Sequence, residues 1–271
     1  KDASMKIFNS IDQFRLERAQ VTAARVGFVP TMGALHKGHA ALIERSVKEC
    51  DVTVVSVYVN AAQFDNADDL SRYPETLDQD AELVRALGVD IILAPTYEQL
   101  YPDDFRYRVV ETDLSGELCG KHREGHFTGV LTVVLKLLNI VRPDRAYFGE
   151  KDFQQYRLIE GMARAFFLDT EIVPCETVRE HDGLALSSRN LNLDSNARAL
   201  APLIYEAITS SASDEVVTER LARAGFDVDY VMRKFGRRFV AARIGKGRRQ
   251  VRLIDNVPVP VDSKTLNGEK T

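Results

Sequence analysis

The chain has 271 residues, 45% hydrophobic and 28% charged, with a formal net charge of −4. That length can bury one large or two ordinary cores, and the composition is that of a globular protein rather than a disordered or fibrous one. The negative balance disfavours a nucleic-acid partner, and no apolar run approaches the roughly 20 residues needed to cross a bilayer.

In chain order, Arg25–Val29 reads as a buried strand and Ala40–Cys50 as a helix with Ile43 and Val47 on one stripe. Asp51–Val59 is a second strand, apolar almost throughout, as parallel strands covered on both faces tend to be. A helix over Leu77–Leu87 leads to a strand at Ile91–Pro95. An apolar helix at Val130–Val141 precedes a short strand at Ala146–Phe148, a helix at Leu158–Phe166 and a strand at Glu171–Pro174. This alternation predicts an α/β fold, a doubly wound, Rossmann-like parallel sheet. After Asn190 the pattern changes to helices at Asn196–Ser210 and Asp214–Ala224 and strands at Val228–Val231 and Phe239–Arg243. The expected division is a nucleotide-binding domain over 1–182 and a smaller α+β lid domain over 183–271. Three scattered cysteines, Cys50, Cys119 and Cys175, form no disulfide framework or metal pattern, which points to a reducing cytoplasm. Lys1–Ser4 read as a vector remnant ahead of a natural start at Met5.

Residues 30–39, PTMGALHKGH, lie between the first strand and its helix, where open α/β sheets bind ligands. Gly38 and His39 fall at the helix start, so free backbone N–H groups and the helix dipole would make an anion site. His36 and His39, three residues apart, can point the same way and donate to phosphate oxygens. They can equally be ordinary loop residues. A zinc site needs more ligands than this pair, and His122, His126 and His181 are distant in sequence. Gly33 and Gly38 have P-loop spacing, but His39 and Ala40 fill the lysine and hydroxyl positions, so that reading fails.

PTMGALHKGH resembles the His-x-Gly-His signature of the nucleotidyltransferase superfamily related to class I aminoacyl-tRNA synthetases. Within it the chain resembles the pantothenate synthetase (pantoate–β-alanine ligase) family. Further segments match in order: Val59–Phe64 with Arg72-Tyr73-Pro74, Arg123–Val130, Pro143–Gln155, Val178–Glu180 with Asp182–Asn190, and Arg252–Asn256. The match is dense over roughly residues 25 to 193. Ala61 and Glu124 stand where that family commonly has proline, and Asn192 where tyrosine is common. Lys246–Arg249 makes the turn before Arg252 longer and more basic than the family pattern, either as a solvated turn or to help close over a triphosphate.

The resemblance implies ATP-dependent condensation of pantoate with β-alanine through a pantoyl adenylate. Such chemistry asks the protein for positioning and charge neutralisation rather than a nucleophile. It implies catalytic roles for His39, His36, Lys151, Ser187, Ser188 and Arg189; the family assigns His39 as proton donor, and physically it can equally act by stabilising charge on the α-phosphate as diphosphate departs. ATP would lie against Met32, Gly33, Ala34, Leu35, His36, Lys37, Gly38 and His39. Gly149 and Asp152 would suit the ribose with Glu150 beside them on ATP, Lys151 would face the triphosphate, Val178 would meet adenine, and Leu186 with Ser187, Ser188 and Arg189 would clamp the phosphates. Gln63 and Gln155 would hold pantoate, with Asn60 and Arg123 beside them. Pro30, Met32 and Phe64 would wall its apolar end, and Tyr73 and His126 would be neighbours. Mg²⁺ would accompany ATP on phosphates and water, with Asp80 a second-shell candidate if it is not a solvated helix carboxylate. The family precedent is a homodimer.

Overall fold

The computed structural model describes residues 5–22, 24–74, 76–245, 247 and 250–259. Lys1–Ser4 and the basic Lys246, Arg248 and Arg249 lie outside the described residues. The chain divides into two units, Lys1–Val178 and Arg179–Thr271.

The first unit runs β1 (Lys6–Phe8), α1 (Ile11–Gln20), β2 (Val26–Thr31), α2 (Lys37–Glu49), β3 (Val52–Val57), α3 (Ala67–Ser71), α4 (Leu77–Ala86) and β4 (Ile91–Leu93). It continues with α5 (Tyr97–Leu100), α6 (Leu118–Lys121), α7 (His126–Val141), β5 (Arg145–Gly149), α8 (Phe153–Ala165) and β6 (Glu171–Cys175). All six strands are parallel, in the order β1-β4-β3-β2-β5-β6. The chain therefore winds outward from β2 through β3 to β4, then returns to β2 and winds the other way through β5 to β6. The crevice between β2 and β5 is the topological switch point. β2 and β3 are buried along nearly their whole length, which explains their unbroken apolar runs. On one face Val29, Ile43, Val55, Val84, Ile92 and Tyr147 form a core.

This is the predicted α/β architecture with additions. β1 and α1 carry too little pattern to be read: β1 is a three-residue edge strand, and α1 buries only Phe14. What anchors α1 is Arg18, whose guanidinium donates to the carbonyls of Val141, Arg142 and Val21 at 2.9, 2.9 and 2.7 Å. Helix α7 starts four residues before the expected Val130, and α2 three before the expected Ala40.

The second unit contains α9 (Ser195–Leu200), α10 (Leu203–Thr209) and α11 (Asp214–Arg223), then the antiparallel sheet β7 (Asp227–Lys234), β8 (Arg237–Ile244) and β9 (Val251–Pro258). The single helix expected over Asn196–Ser210 is two, because Pro202 has no N–H to continue the ladder. The strand β9, read in sequence only as a motif, pairs along β8 from Val251 to Pro258. One sheet face packs Val240, Ala242, Val251 and Leu253 against Ile204, Ile208, Val217 and Leu221.

Arg238 is fully buried on that face. It donates to Asp214 Oδ1 at 2.8 Å and to the carbonyls of Ile208 at 3.2 Å, Ser210 at 2.8 Å and Ala212. The guanidinium thus satisfies the end of α10 while pairing with the start of α11. Replacing Arg238 by methionine removes one partner of a buried pair and strands those carbonyls. We expect a loss of about 3–5 kcal/mol in urea unfolding; an unchanged midpoint would refute this role.

Candidate active site

Three adjacent strands, β3, β2 and β5, deliver the candidate residues at their carboxyl ends. β2 ends at Thr31 and feeds the loop Met32–His36 into α2. β5 ends at Gly149 and feeds a 3₁₀ turn, Glu150–Asp152, into α8. β3 leads to Asn60 and the 3₁₀ turn Ala61–Gln63. Lys151 and Asp152 act electrostatically on both His36 and His39, so the first two loops converge across the switch point.

The two histidines form a capping box built from imidazoles. His36 is the N-cap of α2, and its Nδ1 accepts from the Gly38 N–H at 3.1 Å. The His36 backbone N–H in turn donates to His39 Nδ1 at 3.4 Å. The rings lie with centroids 4.1 Å apart. Because each Nδ1 accepts, each proton resides on Nε2, and both Nε2–H groups are left as outward donors. Burial pushes the His39 pKa down to about 3, helped by His36 and Lys151 and opposed by Asp152. Burial also lowers His36, again with Lys151 reinforcing and Asp152 opposing. Both rings are neutral at physiological pH.

The expectation of free backbone N–H groups at the helix start is corrected at Gly38, whose N–H is taken by His36. Gly38 and His36 donate to imidazoles, and Gly33 donates to Thr31 Oγ1 at 3.2 Å. The N–H groups of Ala34 and Leu35 point at Asp80, which they reach at 3.0 and 2.8 Å. Asp80 is only 3% exposed, and its Oδ2 also accepts from Thr76 Oγ1 at 2.9 Å. It is therefore not a solvated helix carboxylate. It is the counterweight that folds the loop. Gly33 and Ala34 take left-handed φ of 80° and 50° to turn those N–H groups inward, and a Cβ on Gly33 would sit 3.0 Å from Asp80 Oδ2.

Gln63 is held from both sides. His126 Nδ1 donates to the Gln63 carbonyl at 2.8 Å, and Arg123 Nη1 donates to His126 Nε2 at 3.0 Å. Arg123 also pairs with Asp65 at 2.9 Å. On the side-chain end, Asn60 Nδ2 donates to Gln63 Oε1 at 3.0 Å, while Gln63 Nε2 reaches Met32 Sδ at 3.2 Å. Asn60 and Arg123 both brace Gln63, Asn60 directly and Arg123 through His126. Gly129 of α7 allows the turn to approach, since a Cβ there would lie 2.3 Å from the Ala62 carbonyl oxygen and 2.7 Å from Gln63 Cα.

Gln155 is half-buried, as are Gly149, Glu150, Lys151 and Asp152. Lys151 Nζ lies 3.6 Å from Asp152 Oδ2. The neighbouring Gln154, which carries no signal of its own in sequence, is buried and structural. It accepts from the Cys119 N–H at 3.0 Å and donates to the carbonyls of Leu114 and Glu117, both at 2.8 Å. Val178 closes the first unit and is half-buried.

Within the second unit, Leu186, Ser187, Ser188 and Arg189 are likewise half-buried. Ser187 Oγ accepts from the Arg189 N–H at 3.3 Å and caps the turn Ser188–Asn192, while Asn190 Nδ2 donates to the Ala185 carbonyl at 3.0 Å. Arg179 makes a two-pronged pair with Asp255 at 2.6 and 2.9 Å and lies over the Tyr205 ring at 4.0 Å.

A doubly wound α/β sheet whose switch-point crevice carries neutral imidazole donors, a lysine and amides defines a binding site for an anionic, phosphate-bearing ligand. The comparisons with known proteins narrow that class. The family model of pantoate-β-alanine ligase matches residues 6–258, and the chain belongs to that family. It is 51% identical over 254 residues to a pantothenate synthetase from Bdellovibrio bacteriovorus, covering 94% of this chain and 99% of the relative. It is 42% identical to the pantoate-β-alanine ligase from Francisella tularensis, solved complexed with β-γ ATP and β-alanine. That structure superimposes with a TM-score of 0.88, covering 94% of this chain and 97% of that one. A pantothenate synthetase structure from Thermus thermophilus is 39% identical, with a TM-score of 0.85 over 94% of this chain and all of that one.

Proposed function

We infer that the protein joins pantoate to β-alanine at the expense of ATP, releasing AMP and diphosphate through an enzyme-bound pantoyl adenylate. The observation that carries this reading is the pair of Nε2–H donors beside Lys151, with Gln63 against Met32 of the same loop. A site for a triphosphate thus adjoins a site for a small hydroxy acid.

In the first half-reaction the pantoate carboxylate attacks the α-phosphorus and diphosphate leaves. Charge develops on oxygens, and fixed donors in a dry crevice stabilise it without having to reorganise. His36 and His39 supply such donors and Lys151 a cation. A neutral His39 with Nδ1 already accepting is a hydrogen-bond donor, not the proton donor that the family resemblance assigns; becoming an imidazolium would break its cap bond. Gln63 and Gln155 hold pantoate, Asp152 and Gly149 suit the ribose, and Val178 offers its backbone to adenine. The resemblance assigns Ser187, Ser188 and Arg189 to the phosphates as well. In the second half-reaction the neutral amine of β-alanine attacks the acyl carbon and AMP departs, which demands proximity more than a strong base.

Among the described residues no group of three His, Cys, Asp or Glu could hold a metal ion. Magnesium would arrive on ATP, held by phosphate oxygens and water. Among the described residues no helix is long and apolar enough to cross a membrane. The family resemblance supports a cytoplasmic homodimer.

The reading is tested by measuring diphosphate and AMP from ATP with and without each co-substrate. Diphosphate release should require pantoate, and AMP release should require β-alanine; AMP release indifferent to β-alanine would overturn it. Gly129→Ala should push the Ala61–Gln63 turn outward and lower kcat/KM for pantoate by about 10²-fold. The KM for ATP should hold, and a normal kcat/KM for pantoate would contradict the packing argument.

A further inference from the structure

The orientation of Gln63 can be traced to one unambiguous atom. The carbonyl oxygen of Gly129 can only accept, and it lies 3.2 Å from one side-chain atom of Asn60, which must therefore be Nδ2. Asn60 Oδ1 then faces the other way, 2.8 Å from the Tyr101 hydroxyl, so that hydroxyl must donate. The remaining Nδ2 proton points at Gln63, 3.0 Å away, and the atom it meets must be Oε1. Gln63 is left with its Nε2 on the other side, 3.2 Å from Met32 Sδ. Every amide in this chain has its polarity dictated by its neighbour.

We propose that Tyr101 is a positioning residue of the pantoate site: with the Gly129 carbonyl it fixes Asn60, and through Asn60 it holds Gln63 so that its amide donors serve a ligand offering carboxylate or hydroxyl oxygens. The proposal rests on the ligase reading above. Tyr101 touches no substrate; it acts through Asn60 and then Gln63. Its surroundings are arranged to hold the hydroxyl in place. Tyr101 is 2% exposed and Asn60 1%. Its ring meets Tyr97 and Phe105 at 5.1 and 5.4 Å between centroids, and the Lys136 ammonium lies 4.9 Å from the ring centre. Lys136 is itself fixed by Asp103 at 2.7 Å. Burial raises the phenol pKa, so the hydroxyl keeps the proton it must donate.

Tyr101→Phe keeps the ring and removes the one donor that faces Asn60 Oδ1. Asn60 then keeps only its contact with the Gly129 carbonyl and is no longer fixed from both sides, and the Asn60 amide that anchors Gln63 Oε1 loosens with it. The expected result is a KM for pantoate raised about tenfold, as for one lost hydrogen bond of about 1.4 kcal/mol. The KM for ATP should stay within about twofold. Because the effect runs through Asn60, adding Tyr101→Phe to Asn60→Ala should change the pantoate KM little further. A residue that only fills space would instead raise both KM values together, or act additively with Asn60→Ala, and either result overturns the assignment. So does an unchanged pantoate KM in an active Tyr101→Phe enzyme. If the wild type itself shows no pantoate-dependent diphosphate release, the ligase reading fails, and the proposal with it. Should Tyr101→Phe fail to fold, the wild-type side-chain amide resonances decide. Pantoate must shift those of Gln63, and an unmoved Gln63 signal at saturating pantoate overturns the proposal.

Discussion

His39→Ala lowers kcat of the adenylation half-reaction by about 10²–10³-fold, the usual loss when one fixed donor to a transition-state oxyanion is removed. ATP affinity falls much less, because His36, Lys151 and the loop remain. His39→Gln recovers part of the rate, since a glutamine amide can place an N–H near the Nε2 position although it cannot transfer a proton at neutral pH. A general acid would lose as much in Gln as in Ala. Rapid-quench measurement of pantoyl adenylate in the three proteins separates these outcomes, and equal rates in wild type and His39→Ala would refute any catalytic role. The same histidine has a signature in stability. Its pKa is 6.5 in the ordinary state and about 3 in the fold, so between those values the unfolded chain binds more protons than the folded one. Stability is therefore undiminished above about 6.5 and is lost as pH falls toward 3. His39→Gln should flatten that acid slope in urea titrations.

Asp80→Ala is the second large effect, and it arises away from the reacting atoms. The carboxylate takes the Ala34 and Leu35 N–H groups and the Thr76 hydroxyl, and nothing in an alanine replaces it. Buried donors left unpaired cost about 1–3 kcal/mol each, so a total loss of about 3–5 kcal/mol is expected in chemical unfolding. The Met32–His36 loop should also lose its left-handed turn, weakening ATP binding at the same time. Asp80→Asn keeps one acceptor oxygen and should fall between the two. Wild-type stability together with wild-type ATP affinity in Asp80→Ala would remove Asp80 from this account.

Both residues show what could and could not be read from the chain. The β2-α2-β3 unit was legible because two apolar runs flank a glycine-bearing loop and a striped helix. The true start of α2 was not, because a capping box is recognised by Ser or Thr followed by Glu or Gln, and here both positions are histidine. Read as loop residues, Gly38 and His39 suggested free N–H groups; as helix residues they turn the imidazoles into defined tautomers. Asp80 was ambiguous because a carboxylate on an amphipathic helix is usually solvated, and only the fold of a loop some 45 residues earlier buries it. Tyr101 and Gln154 act through neighbours distant in sequence, so no local spacing marks them. The polar helix α1 is anchored by Arg18 binding carbonyls at the far end of α7, a contact that no periodicity encodes.

In the proposed ligase two neutral imidazoles, each held through Nδ1, offer Nε2–H donors to the phosphates. Nitrogen NMR of labelled histidine in the intact protein tests it directly. His36 and His39 should both show the Nε2–H tautomer, with no titration of His39 across about pH 5 to 8. An Nδ1–H tautomer, or a His39 resonance titrating near 6.5, would contradict the account.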